Sequence, residues 1–387
     1  MSRLSWRTAG ESHGPCLIGI VEGMPSGLPL DVERIDAELA RRQAGYGRGG
    51  RMKIETDRVE LLSGLKGGLT LGSPIAFRVH NKDAVIEKLP VPGNPRPGHA
   101  DLAGCQKHGH RDPRAVLERA SARETAARVA AAGIARQVLE HFGVEVFGHV
   151  VELGGVSVDP QAVEAALAGS RAPRAARRDQ SEFLCLDEAA EAGLRARVDQ
   201  AREQGDSLGG IYEVRAFGLP PGLGDYASGP QRLTARIGGA LFSIPAMKGV
   251  EFGLGFEVAR RPGSEVHDPI ELASSEPPGG GRFARGSNRS GGLEGGMTTG
   301  EPLVVRVAMK PIPTLRRGMP TVEFASGEPV QATYQRSDVT SVPAASVVGE
   351  AMVALELADA WLEKFGGDSV GELEASVEAY RARLREV

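Results

Sequence analysis

Apolar residues along the chain come in short runs that end on glycine or proline. Two such runs, 15–21 and 74–79, have turn residues at both ends and read as strands. Val32, Ile35 and Leu39 recur at helical spacing behind Asp31, which predicts a helix with Asp31 as its N-cap. Residues 114–141 are alanine-rich, lack proline and hold Gly133 as their one glycine, so they predict a long helix. Further on, 211–217 and 303–308 read as strands, and 343–365 as a helix apolar enough on all sides to be buried. Residues 159–204 are rich in Ala, Arg and Glu and predict a helical surface insert. The Gly/Pro-rich stretch 260–292 predicts a long loop, functional or disordered.

One segment is written twice. Gly67-Gly-Leu-Thr-Leu-Gly72-Ser-Pro74, continuing to Arg78-Val79 and Lys82, matches Gly295-Gly-Met-Thr-Thr-Gly300-Glu-Pro302, continuing to Arg306-Val307 and Lys310, at eight of sixteen positions. Gly23-Met-Pro-Ser-Gly27-Leu28 and Gly218-Leu-Pro-Pro-Gly222-Leu223 form a second pair in the same order. This predicts an internal duplication within a single domain spanning 1–387: half one at about 1–145, half two at about 205–365, an insert at about 159–204, and a C-terminal helix at about 368–386. Strands followed by a long helix, twice over, predict an α+β fold, a β-α-β layered sandwich with a pseudo-two-fold axis.

Composition narrows the classes. The 387 residues carry 46 Lys+Arg against 50 Asp+Glu, a net charge of −4 that argues against nucleic-acid binding. Of the basic residues, 38 are Arg and 8 are Lys; arginines clustered in loops suit two-point binding of carboxylates and phosphates. No apolar run reaches the ~18 residues of a membrane span. Three cysteines (Cys16, Cys105, Cys185) and a polar start lead us to expect a reducing, cytoplasmic setting.

Some motifs match only on paper. Gly45-Tyr-Gly47-Arg-Gly49-Gly50 satisfies G-x-G-x-x-G, but a predicted helix precedes it and strand-like residues 52–55 follow, the reverse of a dinucleotide fold. The better reading is a pliable loop around Arg42, Arg48 and Arg51 that can close on an anion. Gly10-Glu-Ser12-His13-Gly14 and Gly205-Asp-Ser207-Leu-Gly209 satisfy G-x-S-x-G without the strand-turn-helix of a nucleophile elbow. Cys105, His108 and His110 lack zinc-type spacing, and no Gly-Lys dipeptide exists to build a P-loop. What remains is three loops holding His13, His99 and Asp338, with Arg42, Arg48, Arg96, Arg119, Arg123 and Arg336 around them. That set describes an arginine-lined anion site with two acid/base candidates.

Six ordered segments make the pattern specific. They are Gly10-Glu-Ser-His-Gly14 through Pro25, Gly45-Tyr-Gly-Arg-Gly-Gly-Arg51, Arg96-Pro-Gly-His-Ala-Asp101, Glu118-Arg-Ala-Ser-Ala-Arg-Glu124 through Ile134, Lys310-Pro-Ile-Pro-Thr314, and Arg336-Ser-Asp338 through Val353. In these the chain resembles the chorismate synthase family over about 4–365. The resemblance implies a carbon–oxygen lyase of the shikimate pathway, in aromatic amino acid biosynthesis. It would eliminate phosphate 1,4 from 5-enolpyruvylshikimate 3-phosphate to give chorismate. It also implies reduced FMN, supplied by an external reductant, a homotetramer, and no nucleic-acid or membrane partner.

Residue by residue, the resemblance makes His13 the acid for the departing phosphate. It has His99 protonate the reduced flavin or stay close to it, and gives Asp338 a part in proton removal near flavin N5. Substrate contacts fall on Ser12, Arg42, Arg48, Arg51, Arg96, Ser121 and Arg123; the family also links the Arg42–Arg48 pair with NADP. Flavin contacts fall on Arg119, Ala120, Ser121, Pro245, Ala246, Gly295, Lys310, Pro311, Ile312, Pro313, Thr314 and Arg336. Pro245 departs from the family, where many members carry Asn, and it can offer neither an amide side chain nor an N–H. His108 and His110 match no motif and are expected at the surface. Two other readings remain: a flavin- or anion-binding protein without catalysis, and a hydrolase using Ser12.

Overall fold

The computed structural model describes residues 3–49, 56–273, 277, 279–334 and 338–386. Ten helices are described: α1 (Val32–Gln43), α2 (Asp101–His108), α3 (Arg114–Ala120), α4 (Thr125–His141), α5 (Pro160–Leu167), α6 (Arg171–Gln180), α7 (Glu191–Glu203), α8 (Leu233–Phe242), α9 (Val342–Phe365) and α10 (Val370–Glu386). Asp31 caps α1 as expected, its carboxylate accepting from the N–H groups of Glu33 (2.9 Å) and Arg34 (3.3 Å). Among the described residues no helix is long and apolar enough to cross a membrane.

Two antiparallel sheets flank the helices. The first runs Ser5–Ala9, Cys16–Glu22, Ile75–His80, Val59–Leu61; the second runs Glu145–Leu153, Gly210–Phe217, Leu303–Met309, Met247–Phe252, with Val156–Ser157 added beside Glu145–Leu153. The strand orders correspond one to one. α4 and α1 pack on the first sheet, α9 and α8 on the second, and α4 lies along α9 between them. The layers are therefore sheet, helices, sheet, and the fold is α+β. α9 is buried on nearly every side, which is why its sequence is apolar without a polar face.

The duplication extends to single hydrogen bonds. Gly67 and Gly68 (φ 60° and 80°) turn one small hairpin, and Gly295 and Gly296 (φ 59° and 86°) turn its counterpart. Two consecutive left-handed residues are the requirement of this tight turn, and glycine meets it without strain. Thr70 Oγ1 then donates to Pro25 O (2.6 Å) and accepts from Leu28 N–H (2.9 Å). Thr298 Oγ1 does the same with Pro220 O (2.6 Å) and Leu223 N–H (2.8 Å). The two G-x-S-x-G turns are also counterparts: each leads, in the same register, into the matching strand of its sheet.

Three expectations need revision. The helix expected over 114–141 is two helices, because Ser121 is extended (φ −66°, ψ 142°) and its side chain accepts from Arg123 N–H. The insert at 159–204 is more than surface decoration. Its Val163, Leu167, Phe183, Leu194 and Val198 build a core with Phe147, Val150 and Leu153, covering the outer face of the second sheet. The stretch 260–292 is not a structureless loop, since Ile270–Leu272 pairs with Phe283–Arg285. The strand expected at 52–55 lies outside the described residues.

Candidate active site

The turn after the first strand carries Ser12 and His13, and α3 holds it in place. Glu118 O accepts from Ser12 N–H (3.0 Å), and the Glu118 carboxylate accepts from His13 N–H (2.8 Å). The same carboxylate lies 3.0 and 3.1 Å from His13 Nδ1. Arg114, one helical turn earlier, donates to it at 3.2 Å. Burial opposes ionisation of Glu118, but His13 and Arg114 outweigh it and hold the carboxyl below the usual range. Ser12 is buried at 1% exposure, and a strand rather than a helix follows it, so its surroundings are not those of a hydrolase nucleophile.

Asn81 ties this turn to the arginines. Its amide donates to the carbonyls of Glu11 (3.1 Å) and Gly14 (2.8 Å), and its oxygen accepts from Arg123 Nε (2.8 Å). Arg123 Nη1 donates to both oxygens of Asp57 at 2.6 Å. Arg42 comes in from the end of α1, donating to Thr125 Oγ1 (3.0 Å) and Ala122 O (2.7 Å). Its Nη1 is 3.7 Å from Asp57, too far for a hydrogen bond, and among the described residues this buried atom has no hydrogen-bond partner. Burial, with Arg123 and Arg48 adding repulsion against the pull of Asp57 and Asp338, pushes Arg42 down to about 10. Arg48 in turn pairs with Asp338 at 2.7 Å and donates to Ser341 Oγ at 3.0 Å. Asp338 also accepts from Gly49 N–H, so the glycine loop and the start of α9 are closed on each other.

His99 belongs to a second group. Its Nδ1 is 2.5 Å from Asp101 Oδ1, and Arg96 donates three bonds to the same carboxylate, two from its guanidinium (2.8 and 3.0 Å) and one from its main-chain N–H (3.1 Å). Burial opposes ionisation of Asp101, yet these contacts hold it well below the carboxylate range. Lys310 donates to Gly98 O through its amine and to Ala246 O through its N–H (3.0 Å), while Arg96 reaches Thr314 Oγ1 at 3.5 Å. Residues 310–314 and Ala246 therefore gather around the His99 loop. Burial and Lys248 hold the Lys310 amine below the usual lysine range.

Arg119 lies on the His13 side, bound to the carbonyls of Gly10 (3.1 Å) and Thr8 (3.0 Å). Gly295 lies in the turn of the small hairpin that precedes strand Leu303–Met309, beside Tyr226, whereas Lys310 follows that strand. The two histidine groups meet through α2, which starts at Asp101, packing on α3, which carries Glu118. Arg51 and Arg336 lie outside the described residues. His108 and His110 are exposed. Sequence reasoning missed Glu118, Asp101, Asp57 and Asn81 as site residues; the first two stand inside the quoted segments, where a carboxylate near a histidine was the available signal.

The chain matches the family model described as "Chorismate synthase" over residues 4–362. It is 52% identical over 394 residues to the chorismate synthase of Desulforudis audaxviator (strain MP104C), covering 99% of this chain and 98% of that one. The chorismate synthase of Rubrobacter xylanophilus (strain DSM 9941 / JCM 11954 / NBRC 16129 / PRD-1) is 52% identical over 393 residues, with coverage of 99% and 97%. A solved structure titled "Crystal Structure of Chorismate Synthase" superposes with a TM-score of 0.81 at 40% identity over the full length of both chains. With matches of this extent, the chain belongs to the chorismate synthase family of lyases.

Proposed function

We propose that this chain eliminates phosphate from 5-enolpyruvylshikimate 3-phosphate to give chorismate, with reduced FMN as cofactor, working as a cytoplasmic homotetramer with an external flavin reductant. The observation that carries the reading is the buried Arg42 Nη1 without a hydrogen-bond partner among the described residues, next to Arg123 and Arg48. A buried donor left unsatisfied is costly, and an anionic ligand would relieve it. The substrate has two carboxylates and one phosphate, which Arg42, Arg48, Arg51 and Arg123 would bind, with Ser12, Arg96 and Ser121 fixing its orientation.

The donor set also fits a flavin phosphate and ring. The Arg119 guanidinium is 44% exposed, and the Lys310 amine sits beside the His99 loop. Arg119, Ala120, Ser121, Ala246, Gly295, Lys310 to Thr314 and Arg336 would hold it, with Pro245 contributing only its shape and carbonyl. When bound, reduced FMN supplies electron density that eases both bond cleavages and is returned at the end. The protein's own work is to neutralise the anions, exclude water, and move protons. His13 gives a proton to the leaving phosphate, Asp338 assists removal of the ring proton, and His99 keeps a polar contact near the flavin.

The test is anaerobic. Protein, reduced FMN and substrate are mixed, and free phosphate and chorismate absorbance are followed. Both should rise together, and His13→Ala or His99→Ala should slow them by roughly 10²–10⁴-fold with the fold intact. Flavin binding with no phosphate release would instead make this a binding protein, and wild-type rates in both variants would remove the histidines from the reaction.

A further inference from the structure

A histidine gives up a proton as the imidazolium, and the transfer is directed to one nitrogen only if a partner holds the other, which also fixes the neutral tautomer left behind. At His13 this partner is Glu118. An ionised carboxylate has no proton to donate, so the contacts of 3.0 and 3.1 Å require the hydrogen on Nδ1. The ionised form is maintained by the His13 contacts and by Arg114 at 3.2 Å. The other ring nitrogen, Nε2, is 3.9 Å from Asp83 Oδ2, beyond hydrogen-bond reach of that carboxylate, and the side chain is 19% exposed.

Glu118 also binds the backbone of the turn, accepting from His13 N–H with its side chain and from Ser12 N–H with its main chain. From the other side, His13 O accepts from Ile86 N–H at 3.1 Å. One buried residue therefore sets both where the ring stands and how it is rotated.

We propose that Glu118 is a positioning residue for the reaction: by binding Nδ1 and the main-chain N–H of His13 together, it confines proton exchange with the leaving phosphate to Nε2. This rests on His13 being the acid of the proposed function. The arrangement parallels His99, whose Nδ1 is taken by Asp101, but it differs in one respect. Arg96 Nη2 also approaches His99 Nδ1 at 2.9 Å and competes for it, whereas Arg114 bonds to Glu118 and not to the His13 ring. The more firmly directed of the two imidazoles is thus His13.

The experiment combines ¹⁵N NMR of histidine-labelled protein with steady-state kinetics. In the wild type, neutral His13 should be the Nδ1–H tautomer, assigned by the signal lost in His13→Ala. Glu118→Ala should shift it toward Nε2–H and lower kcat on the order of 10²-fold with KM nearly unchanged. Glu118→Gln, whose amide oxygen can still accept from Nδ1, should recover most of that loss. An Nε2–H tautomer in the wild type overturns the proposal, and this measurement needs no variant of Glu118. Unaltered kcat in Glu118→Ala, or a change confined to KM, overturns it as well. Full turnover in His13→Ala would instead bring down the acid assignment itself, so the two failures are told apart.

Discussion

At the scale of single residues, the site is a set of charges that each answer to a neighbour. Arg48 offers a guanidinium that is already paired with Asp338 at 2.7 Å, so a substrate carboxylate would share it rather than find it free. Losing a charge-assisted hydrogen bond of this kind costs about 1.5–3 kcal/mol. Arg48→Ala should therefore raise the substrate KM roughly 10–100-fold, with a smaller change in kcat; an unchanged KM would contradict the anion loop. His13, Arg48, Arg96 and His99 stood out in the sequence because glycines and prolines flank them in loops. Their partners did not. Asp57 and Asn81 have no motif around them, and they become site residues only when the chain brings them to Arg123. Ala246 is another case: its φ of 74° is rare for a residue with a side chain, and nothing in the bare sequence distinguishes it from an ordinary alanine.

At the scale of elements, the insert contributes to the site without lending it a reactive group. Tyr46, in the middle of the glycine loop, donates its hydroxyl to Asp199 on α7 (2.7 Å). Arg195 and Arg202, also on α7, stand 4.4 and 5.0 Å from its ring centroid. The loop backbone is held too, with Tyr46 N–H donating to Glu182 O at 2.8 Å. A loop whose glycines allow many conformations is thus steadied two residues before Arg48, which reduces the ordering cost of binding. Tyr46→Ala should raise the substrate KM about tenfold or more while circular dichroism stays that of the wild type, and Tyr46→Phe, which keeps the ring, should do less. Equal KM values in all three proteins would leave the insert with no part in binding. The helical character of 159–204 was readable from its composition. Its contact with the loop was not, because cation–π and hydroxyl contacts depend on where α7 lands against the second sheet. The break at Ser121 was hidden for a related reason: alanine-rich sequence predicts continuous helix, and the demand for Ala122 O by Arg42, which joins the Ser121 cap on Arg123 N–H in favouring the interruption, is tertiary.

At the scale of the whole molecule, the duplication was legible because its turns need glycine at fixed places, and such positions repeat in any copy. The strand Glu145–Leu153 was not legible as the start of the second sheet, since the insert separates it from its neighbour Gly210–Phe217. The two copies then diverged in use. Leu208 stands at the second turn where His13 stands at the first, and it is buried, so only one turn presents an imidazole. Beside the apolar packing of α4 on α9, a buried charge cluster on α9 joins the halves. The Glu350 carboxylate accepts from Arg41 of α1 (two bonds of 2.8 Å), Arg136 of α4 (2.8 Å), Arg178 of α6 (3.2 Å) and Gly148 N–H in the second sheet (2.8 Å). Burial would raise its pKa, but the three guanidinium groups hold it well below the usual range. A carboxyl depressed in the folded state adds stability that is full above its unfolded value, 4.5, and is lost as the pH falls toward the folded one. Glu350→Gln would keep the shape but remove the one buried anion that the three guanidinium groups share, leaving Arg41 and Arg136 to Glu38 and Arg178 to Asp179, at a cost of about 3–5 kcal/mol. Urea unfolding at a series of pH values checks both statements. At pH 7 the variant should have a markedly lower midpoint, and the gap from the wild type should narrow as the pH drops below 4.5, where the wild-type carboxyl begins to lose its advantage. A constant gap across that range would mean that the charge of Glu350 does not couple the two halves.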